Sequence, residues 1–550
     1  MSQHWEGGSA VLRIHNSLTR TKEEFQPLAP PRVTFYNCGP TVYDYFHIGN
    51  ARNFVLADTI RRYLRFRGFE VRFVQNITDI DDKIIRRAQL ERRSTAEIAE
   101  TFTRAYFEHI QALGIEPADV HPRATEHIPQ MVRFIQTLIE KGYAYRVGGD
   151  VYYRINRFPQ YGKLSHKNID QLRKGERISV DPRKEDPKDF DLWKAAKPGE
   201  PSWESPWGPG RPGWHVECSV MSSEHLGETI DIHSGGSDLV FPHHENELAQ
   251  SEAATGKPFV RYWIHNAFLN IGGEKMSKSL GNFVTMDQVL AHYEPMVVRY
   301  FFLSAHYRSP MDYGPASLEE ARRALNRLVD GVVTIGKVLD LVAPGETGGP
   351  AACAVEDTTA LAAVRAQFIA HMDDDFNTPR ALSVLFEAVG DLHEKRRQFE
   401  DPRHGPARRA CARAAVEQIR ELAGVLGLDL AYKSRAAELP AEPILATLDE
   451  ALRRIHDDDH RELVDAMAGR MERIGFRIDA TAVQPSWAYE GGARPENERA
   501  RELLEAAIDA RHLMRAARRF DLADAIRTGL SGLGIILEDY RAGTIWKKVA

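Results

Sequence analysis

The stretch between residues 33 and 80 constrains the fold of this chain more than any other. It begins with the β-rich run "RVTFYNC". It continues with "ARNFVLADTIRRYLRFRGF", where apolar residues recur at helical spacing up to Gly68, and ends with the β-rich run "EVRFVQNITD". A strand, a crossover helix and a second strand of this length form a βαβ unit, which implies a parallel sheet. Because ligands of such sheets bind at the C-terminal ends of the strands, we expect functional residues there.

Composition and charge bound the class of protein. The chain has 550 residues, of which 43% are hydrophobic and 27% are charged, as in ordinary globular proteins with several domains. Its net charge of −6 does not suggest a nucleic-acid binder, although such a total can hide a local basic face. No apolar run approaches the ~18 residues that span a bilayer, and the N-terminus lacks the apolar core of a signal peptide. We therefore expect a cytoplasmic protein without membrane contact.

The cysteines and the helical pattern add further expectations. The four cysteines are widely spaced without a CxxC pair, so a disulfide framework is not expected and buried, inert thiols are the ordinary interpretation; they lie at positions 38, 218, 353 and 411. Residues 81–112 predict one long polar helix. Residues 181–213 are dense in Pro, Gly and Trp, which predicts an ordered loop without regular structure. Beyond residue 315 the pattern is strongly helical.

Two short motifs indicate phosphate chemistry. His47-Ile48-Gly49-Asn50 opens the predicted helix, where backbone N–H groups favour phosphate, Gly49 permits a close approach, and His47 can donate a hydrogen bond. "GEKMSKSLGNF", residues 273–283, places Lys275 and Lys278 in a glycine-flanked cationic loop that can stabilise charge on departing pyrophosphate. Alone, the first motif is better explained by helix capping, and a KxxK pair alone is better explained by two solvated lysines. Together they are much more specific.

These motifs resemble the two ATP-site motifs of the class I aminoacyl-tRNA synthetases. The strings "CGPTVYD", "NITDIDDKII", "GWHVECSVM", "GGSDLVFPHHENE" and "DDDFNTPRAL" further resemble the cysteinyl-tRNA synthetase family, from about residue 33 to 290 and more weakly to the C-terminus. The resemblance implies a Rossmann-like α/β catalytic domain with an inserted connective subdomain, then a helical bundle and a small C-terminal anticodon-binding domain. Asn50 departs from the family pattern, which has a second histidine there, but asparagine can still hydrogen-bond a phosphate or ribose.

The implied organisation has seven segments. In chain order they are the first half of the catalytic domain (20–122), the inserted acceptor-end subdomain (123–212), the second half with a zinc site (213–258), the lysine-loop and stem-contact region (259–325), the helical bundle (326–440), an insertion of unknown role (441–495) and the anticodon-binding domain (496–550).

The resemblance also implies a zinc ion at the bottom of the amino-acid pocket. Its ligands would be Cys38, Cys218, His243 and Glu247. His243 and Glu247 are four apart on a predicted helix and share one face, whereas His244 and Glu245 are expected to point elsewhere. The string is not HExxH, so a metalloprotease is excluded, and a Cys₂HisGlu set suits Zn²⁺. Thr78, Trp214 and His233 match positions lining the substrate-cysteine pocket.

The implied reaction is ATP-dependent activation of L-cysteine followed by transfer to tRNA(Cys). His47, Asn50, Lys275 and Lys278 would be catalytic. His47, Gly49, Asn50, Asp238 and Lys278 would bind ATP, with Mg²⁺ accompanying the nucleotide. Residues 511–550 carry eight basic and four acidic residues, a local charge of +4 that suits tRNA phosphates. Arg515, Phe520, Asp539 and Trp546 are the candidate tRNA contacts, although core packing explains the two aromatic residues equally well.

Two alternatives remain open at this point. A cysteine ligase of the mycothiol pathway shares the catalytic half but lacks an anticodon-binding region, and the ~230 residues after position 320 argue against it. A catalytically silent tRNA-binding paralogue would not need intact motifs at 47–50 and 275–279 or all four zinc ligands. We expect a monomer.

Overall fold

The computed structural model describes most of the chain. The described residues are 11–167, 182–275, 283–342, 353, 355–400, 405–431, 441–457, 461–474, 476–479, 486–489, 496–540 and 543–548.

The described elements comprise strands β1–β17 and helices α1–α16, numbered in chain order. The strands are Arg13–Asn16, Thr21–Glu24, Arg32–Asn37, Glu70–Gln75, Ala144–Val147, Asp150–Tyr153, Phe190–Ala195, Gly210–Pro212, Ile230–Gly236, Val260–Asn266, Leu269–Ile271, Glu274–Lys275, Met311–Tyr313, Phe476–Asp479, Ser486–Tyr489, Ile535–Tyr540 and Gly543–Lys548. The helices are Ile48–Phe66, Asp82–Glu91, Thr95–Ala112, Ile128–Glu140, Trp214–Leu226, Glu245–Thr255, Met286–His292, Pro295–Leu303, Pro315–Val342, Val355–Asp373, Thr378–Glu400, Gly405–Val425, Ala441–Asp457, Arg461–Arg473, Glu496–Ala516 and Phe520–Gly532.

The predicted βαβ unit forms one side of a four-stranded parallel sheet. The strand order is β10-β9-β3-β4, and α1 is the crossover between β3 and β4. Val33 and Phe35 of β3, which share one face of the strand, are fully buried. Tyr36, on the opposite face, is fully buried too. Burial of both faces is the usual state of a parallel sheet. Gly68 ends the crossover with φ +86°, a conformation that glycine adopts without steric cost.

Two local predictions were wrong. Residues 81–112 form two helices, α2 and α3, because Arg92 adopts a left-handed conformation and a reciprocal Ser94–Glu97 capping box begins a new helix. The stretch 181–213 was expected to lack regular structure, yet it supplies β7 and β8 of the antiparallel sheet β5-β6-β7-β8. Trp193 is fully buried in that sheet, so tertiary packing overrides the local Pro and Gly content.

The contacts divide the chain into two compact units. The first, hereafter the catalytic unit, comprises residues 1–325, 362–387 and 420–429, and contains the parallel sheet. The second, hereafter the C-terminal unit, comprises residues 326–361, 388–419 and 430–550. In the C-terminal unit, α13 and α14 share one apolar core with α15 and α16, so segment 441–495 supplies core residues to the fold around 496–550.

Cys353 and Cys411, both in the C-terminal unit, form a disulfide across 58 residues of sequence, with Cα atoms 5.0 Å apart. The expectation of isolated, inert thiols was therefore wrong for this pair. The two residues lie on separate segments that only the tertiary fold brings together, and spacing along the sequence carries no signal for such a pair.

Candidate active site

A cluster of buried metal-ligating side chains lies at the C-terminal end of the parallel sheet. Cys38 follows β3 directly and its N–H donates to the carbonyl of Ser234 in β9, 3.1 Å away. Cys218 lies on α5, His243 in a helical turn at 240–244, and Glu247 in the first turn of α6. All four side chains are buried. The structure thus brings together the four residues that the sequence indicates as ligands.

The distances among these four residues suit one tetrahedral cation. The Cys38 and Cys218 Sγ atoms are 3.8 Å apart, Cys38 Sγ lies 3.7 Å from Glu247 Oε1, and Cys218 Sγ lies 3.6 Å from His243 Nε2. His243 Nε2 and Glu247 Oε1 are 2.9 Å apart. Tetrahedral Zn²⁺ with bonds of 2.0–2.3 Å separates its ligands by about 3.3–3.8 Å. The four residues therefore fit a metal ion with only a small adjustment between His243 and Glu247.

His244 contributes to the cluster, contrary to the prediction that it points elsewhere. Its Nε2 lies 3.3 Å from Cys38 Sγ, so Cys38, His233, His244 and Glu247 form a second possible ligand set overlapping the first. The chain is not helical at Phe241, and this break lies within the turn at 240–244, just before the two histidines. No sequence periodicity reveals such a break. Glu245 does point elsewhere, accepting from the backbone N–H of Ser165 at 2.7 Å.

A layer of further histidines surrounds the cluster. His215 Nδ1 lies 2.9 Å from His243 Nδ1, His265 Nε2 lies 2.7 Å from His244 Nδ1, and His233 Nε2 lies 2.8 Å from Glu247 Oε2. Such contacts orient metal ligands and select their tautomers. Sequence reasoning missed His215 and His265, since neither stands in a recognisable ligand spacing.

The electrostatics of the cluster favour a bound cation. Burial alone would lower the pKa of His243, but the charges of Glu247 and Cys218 and their hydrogen bonds to the ring together raise that pKa to about 10. Burial opposes ionisation of Glu247 too, and His243 and His233 nevertheless hold its pKa well below the usual range. The hydrogen bond from Cys38 lowers the pKa of Cys218 to about 6, whereas burial raises that of Cys38. A carboxylate and a thiolate, balanced by a protonated His243, thus lie together in the protein interior.

The His47–Asn50 motif caps the start of α1. The backbone N–H of Asn50 donates to His47 Nδ1 at 3.1 Å, and the N–H of His47 donates to Asn50 Oδ1 at 3.3 Å. The asparagine thus occupies the position that Glu or Gln takes in a capping box. Because Nδ1 accepts a hydrogen bond, the ring proton of neutral His47 lies on Nε2. His47 can therefore cap the helix through Nδ1 and still donate to a phosphate through Nε2.

The lysine loop begins at a strand of a small sheet and ends beside this helix start. Lys275 is the last residue of β12, in the three-stranded sheet β12-β11-β13, whereas Lys278 lies outside the described residues. At the other end of the loop the Ile48 N–H donates to the carbonyl of Val284 and the Met286 N–H to that of Phe46, at 3.1 and 2.9 Å.

The remaining catalytic-unit candidates lie around the metal cluster and the strand ends. Trp214, partly exposed at 36%, stacks on the ring of His243 with centroids 4.1 Å apart. Thr78 is buried, and its hydroxyl donates to Glu217 Oε2 at 3.0 Å. Asp238 is exposed and follows the end of β9. His233 is fully buried and already bonded to Glu247, so it is placed to support that ligand.

The four candidate tRNA contacts have different surroundings in the C-terminal unit. Phe520 is 56% exposed at the start of α16. Asp539 accepts hydrogen bonds from Nη1 and Nη2 of the buried Arg511, at 2.6 Å each, and from Nη1 of Arg515 at 2.7 Å. Hydrogen bonding from Arg511 holds the pKa of Asp539 well below its usual range. Trp546 packs against the apolar core, and the Lys337 ammonium lies 4.1 Å from its ring centroid.

Comparisons with known proteins define the class of this fold and site. Residues 24–323, more than half of the chain, match the family described as the class I (C) tRNA synthetase catalytic domain, and residues 367–431 match the DALR domain. Methionyl-tRNA synthetase of Mycobacterium tuberculosis, in complex with methionyl-adenylate, superposes with a TM-score of 0.54 at 17% identity, covering 84% of this chain and 99% of that one. The LeuRS of Agrobacterium radiobacter K84, in a ternary complex with tRNA and LeuAMS, gives 0.56 at 10% identity, covering 74% and 85%. The chain is a class I aminoacyl-tRNA synthetase.

Two curated relatives narrow the family. The cysteine–tRNA ligase of Symbiobacterium thermophilum is 47% identical over 98% of this chain and 99% of its own length. That of Geobacillus thermodenitrificans is 46% identical over the same shares. The chain belongs to the cysteine–tRNA ligase family, as the sequence motifs predicted. Among the described residues, no helix combines the length and apolar character needed to cross a membrane.

Proposed function

We propose that this protein is a cysteine–tRNA ligase that activates L-cysteine with ATP and transfers it to the 3′ end of tRNA(Cys). In the first step the cysteine carboxylate attacks the α-phosphate, forming cysteinyl-adenylate and releasing pyrophosphate. In the second, a ribose hydroxyl of the tRNA displaces AMP. Family membership over nearly the whole chain supports the reaction class. The observation that carries the amino-acid specificity is the buried Cys₂HisGlu cluster at the end of the parallel sheet.

The cluster supplies the basis for distinguishing cysteine from serine. Size selection alone gives ~1–3 kcal/mol, whereas a 10⁴-fold preference requires about 5.5 kcal/mol. We propose that Cys38, Cys218, His243 and Glu247 hold one Zn²⁺. When bound, that ion would favour the thiolate of cysteine over a serine hydroxyl. His233 holds Glu247 and Trp214 covers His243, so both stabilise the ligand geometry, while Thr78 lines the proposed pocket.

The helix start and the lysine loop provide the phosphate chemistry in this proposal. His47 Nε2–H, the backbone N–H of Gly49 and the side-chain amide of Asn50 face the phosphates in this proposal, at the end of α1 where the helix dipole favours negative charge. Lys275 and Lys278 stabilise the charge that moves onto pyrophosphate, and Mg²⁺ enters with ATP. Asp238 binds the ribose or the substrate amino group. Catalysis is by positioning and charge stabilisation, without covalent attack by the protein.

In the C-terminal unit, Phe520 and Arg515 are the best-placed tRNA contacts. Phe520 is exposed and can stack on an unpaired base. Asp539 is engaged by two arginines, so it can accept from a guanine edge only if a base shares or displaces one of those contacts. Trp546 is partly buried beneath Lys337, which favours packing over stacking. The seven-segment organisation stays part of the proposal, as do a monomeric state and a cytoplasmic location.

Aminoacylation with a tRNA(Cys) transcript tests this proposal. Purified protein should charge the transcript with cysteine and not with serine, and should contain about one zinc per chain. Adenylate formation without charging would instead favour the amino-sugar ligase, and tRNA binding without pyrophosphate exchange would favour a silent paralogue. A metal-free protein that still charges cysteine and rejects serine would overturn the role of the cluster.

A further inference from the structure

Arg52 is a buried cation whose partners are all backbone carbonyls. It lies on α1, two residues after Asn50, and is 2% exposed. Within the described part of the chain, it makes no ion pair and none of its hydrogen bonds goes to a carboxylate. Burial lowers its pKa to about 10, which leaves it charged at neutral pH. Burying a charge without a counter-charge is costly unless its donors are well bonded. Here five hydrogen bonds to backbone carbonyls satisfy the two terminal nitrogens of the guanidinium.

The two terminal nitrogens of Arg52 each hold a different segment. Nη1 donates to the carbonyls of Ala267 and Phe268 at 2.9 and 3.1 Å. Nη2 donates to those of His306, Tyr307 and Ser309 at 3.3, 3.3 and 2.6 Å. A planar guanidinium fork can serve two segments at once, whereas the single ammonium of lysine cannot reproduce this arrangement.

These two segments lead into the sheet that carries the lysine loop. Residues 267–268 precede β11 and residues 306–309 precede β13, and β11 pairs with both β13 and β12, the strand that ends at Lys275. At the far side of the loop, backbone bonds already join residues 284–286 to residues 46–48. Both flanks of the loop are thus attached to the start of α1: one by backbone pairing and the other by Arg52.

We propose that Arg52 is a positioning residue for adenylate formation, which fixes the β11–β12 hairpin, and with it Lys275, relative to the His47–Asn50 phosphate site. This inference rests on the proposed function. It predicts a selective defect, because misplacement of a charge-stabilising group by about 1 Å can cost about 100-fold in rate while leaving substrate binding elsewhere intact. Only the step that releases pyrophosphate depends on Lys275.

Arg61 offers a matched control on the same helix. It is 3% exposed, and its guanidinium donates to the carbonyl of Pro117 at 2.6 Å and to Asp119 at 2.8 Å, far in sequence from the hairpin. The variants R52K and R61K therefore make the same chemical change at equally buried sites of one helix. R52Q, which avoids burying a misplaced cation, is a second variant should R52K not fold.

The test compares partial reactions of the full-length variants. R52K should slow cysteine-dependent ATP–pyrophosphate exchange by about 10- to 100-fold. Four other properties of R52K should stay within about 2-fold of the wild type, as expected of a purely local defect. These are the KM for cysteine, the zinc content, the rate of transfer from preformed adenylate to tRNA, and the affinity for cysteinyl-sulfamoyl-adenosine, an analogue that lacks pyrophosphate. R61K should keep the exchange rate within about 3-fold at a comparable loss of thermal stability.

Equal loss of exchange in R52K and R61K, or an R52K defect shared by analogue binding and transfer, would overturn the positioning role and leave a structural one. If the wild-type protein shows no cysteine-dependent exchange, the proposed function itself fails, and that outcome is distinct because it does not depend on any variant.

Discussion

At the scale of single residues, the carboxylate of Asp375 joins three segments of the catalytic unit. It is fully buried and accepts from the His15 N–H at 2.8 Å, the Tyr307 hydroxyl at 2.6 Å and Arg308 Nε at 2.7 Å. Its φ of +64° lies in the left-handed region, which Asp and Asn adopt more readily than most residues. The DDDFNTP string that marks the family in sequence is thus a structural junction beside the segment that Arg52 holds.

Replacement of Asp375 should therefore lower stability in a graded way. Asp375→Ala leaves three donors without an acceptor and should cost about 3 kcal/mol or more, whereas Asp375→Asn keeps one acceptor and should cost about 1–2 kcal/mol. The neighbouring Asp374 is half exposed in its ion pair with Lys22, so Asp374→Ala should cost less than about 1 kcal/mol. Urea unfolding followed by tryptophan fluorescence measures all three; equal losses at 374 and 375 would contradict the argument.

A second prediction at this scale concerns the histidine layer around the metal cluster. His215→Phe removes the partner of His243 Nδ1 while retaining an aromatic ring, and should weaken metal binding about 10- to 100-fold. His127→Phe is the control, since His127 and His225 form a similar pair outside the cluster, with their Nε2 atoms 3.0 Å apart. Competition with a zinc-chelating dye gives both affinities. Unchanged affinity in His215→Phe would show that the layer does not orient the ligand.

Sequence reasoning reached these residues unequally. The spacing of His243 and Glu247, together with the family resemblance, was enough to propose a shared ligand site. Cys38 and Cys218 required the resemblance alone, because 180 residues separate them. His244, His215 and His265 were missed since their roles depend on a break at Phe241 and on the packing of separate elements, neither of which leaves a periodic signal.

At the scale of elements, the segment after α3 extends the parallel sheet beside β4. Val120 bridges Val74, and His121 is fixed through both ring nitrogens: Nδ1–H donates to the Gln75 carbonyl at 2.9 Å and Nε2 accepts from the Ala118 N–H at 3.0 Å. Burial lowers the pKa of His121 from 6.5 to about 4, and the charge of Arg61 contributes. The folded protein thus holds this imidazole neutral.

This arrangement predicts acid sensitivity. Above pH 6.5 the ring is neutral in both states and has no effect; below it the unfolded chain takes up the proton first, so stability falls as pH drops from 6.5 to 4. At pH 5 the loss is about 2 kcal/mol. His121→Gln removes the titrating group, so its free energy of unfolding should fall less than that of the wild type between pH 8 and pH 5. Parallel losses would refute the assignment.

The elements themselves were predicted with different success. The βαβ unit was predicted correctly, because helical spacing, Gly68 and two β-rich runs all agree locally. Strands β7 and β8 were missed since the stretch around them is dense in Pro and Gly, and the strand that β7 pairs with on its other side, β6, lies outside that stretch. The break between α2 and α3 depends on one left-handed residue, Arg92, and on a cap that stands within a continuous polar run.

At the scale of the whole molecule, the proposed chemistry and the proposed tRNA contacts fall in separate units, so single substitutions should separate the two activities. Phe520→Ala should raise the KM for tRNA by about 5- to 100-fold, the loss of one stacked base, while pyrophosphate exchange stays unchanged. Ile536→Ala, at another exposed apolar residue of the same unit, should alter neither. Steady-state charging and exchange assays measure both; a defect in exchange would exclude a role confined to tRNA.

The order of the parallel sheet also has a consequence during translation. Strand β3 pairs with β4 soon after both are synthesised, but its other neighbour, β9, follows much later: Asn37 and Ser234, which lie opposite each other, are 197 residues apart. At about 5–20 residues per second, the ribosome takes about 10–40 s to bridge that interval. Throughout it, a half-formed sheet offers an open hydrogen-bonding edge and the thiol of Cys38 to the surroundings. Nascent chains of this protein should therefore depend on chaperone cover until residues beyond 266 have emerged.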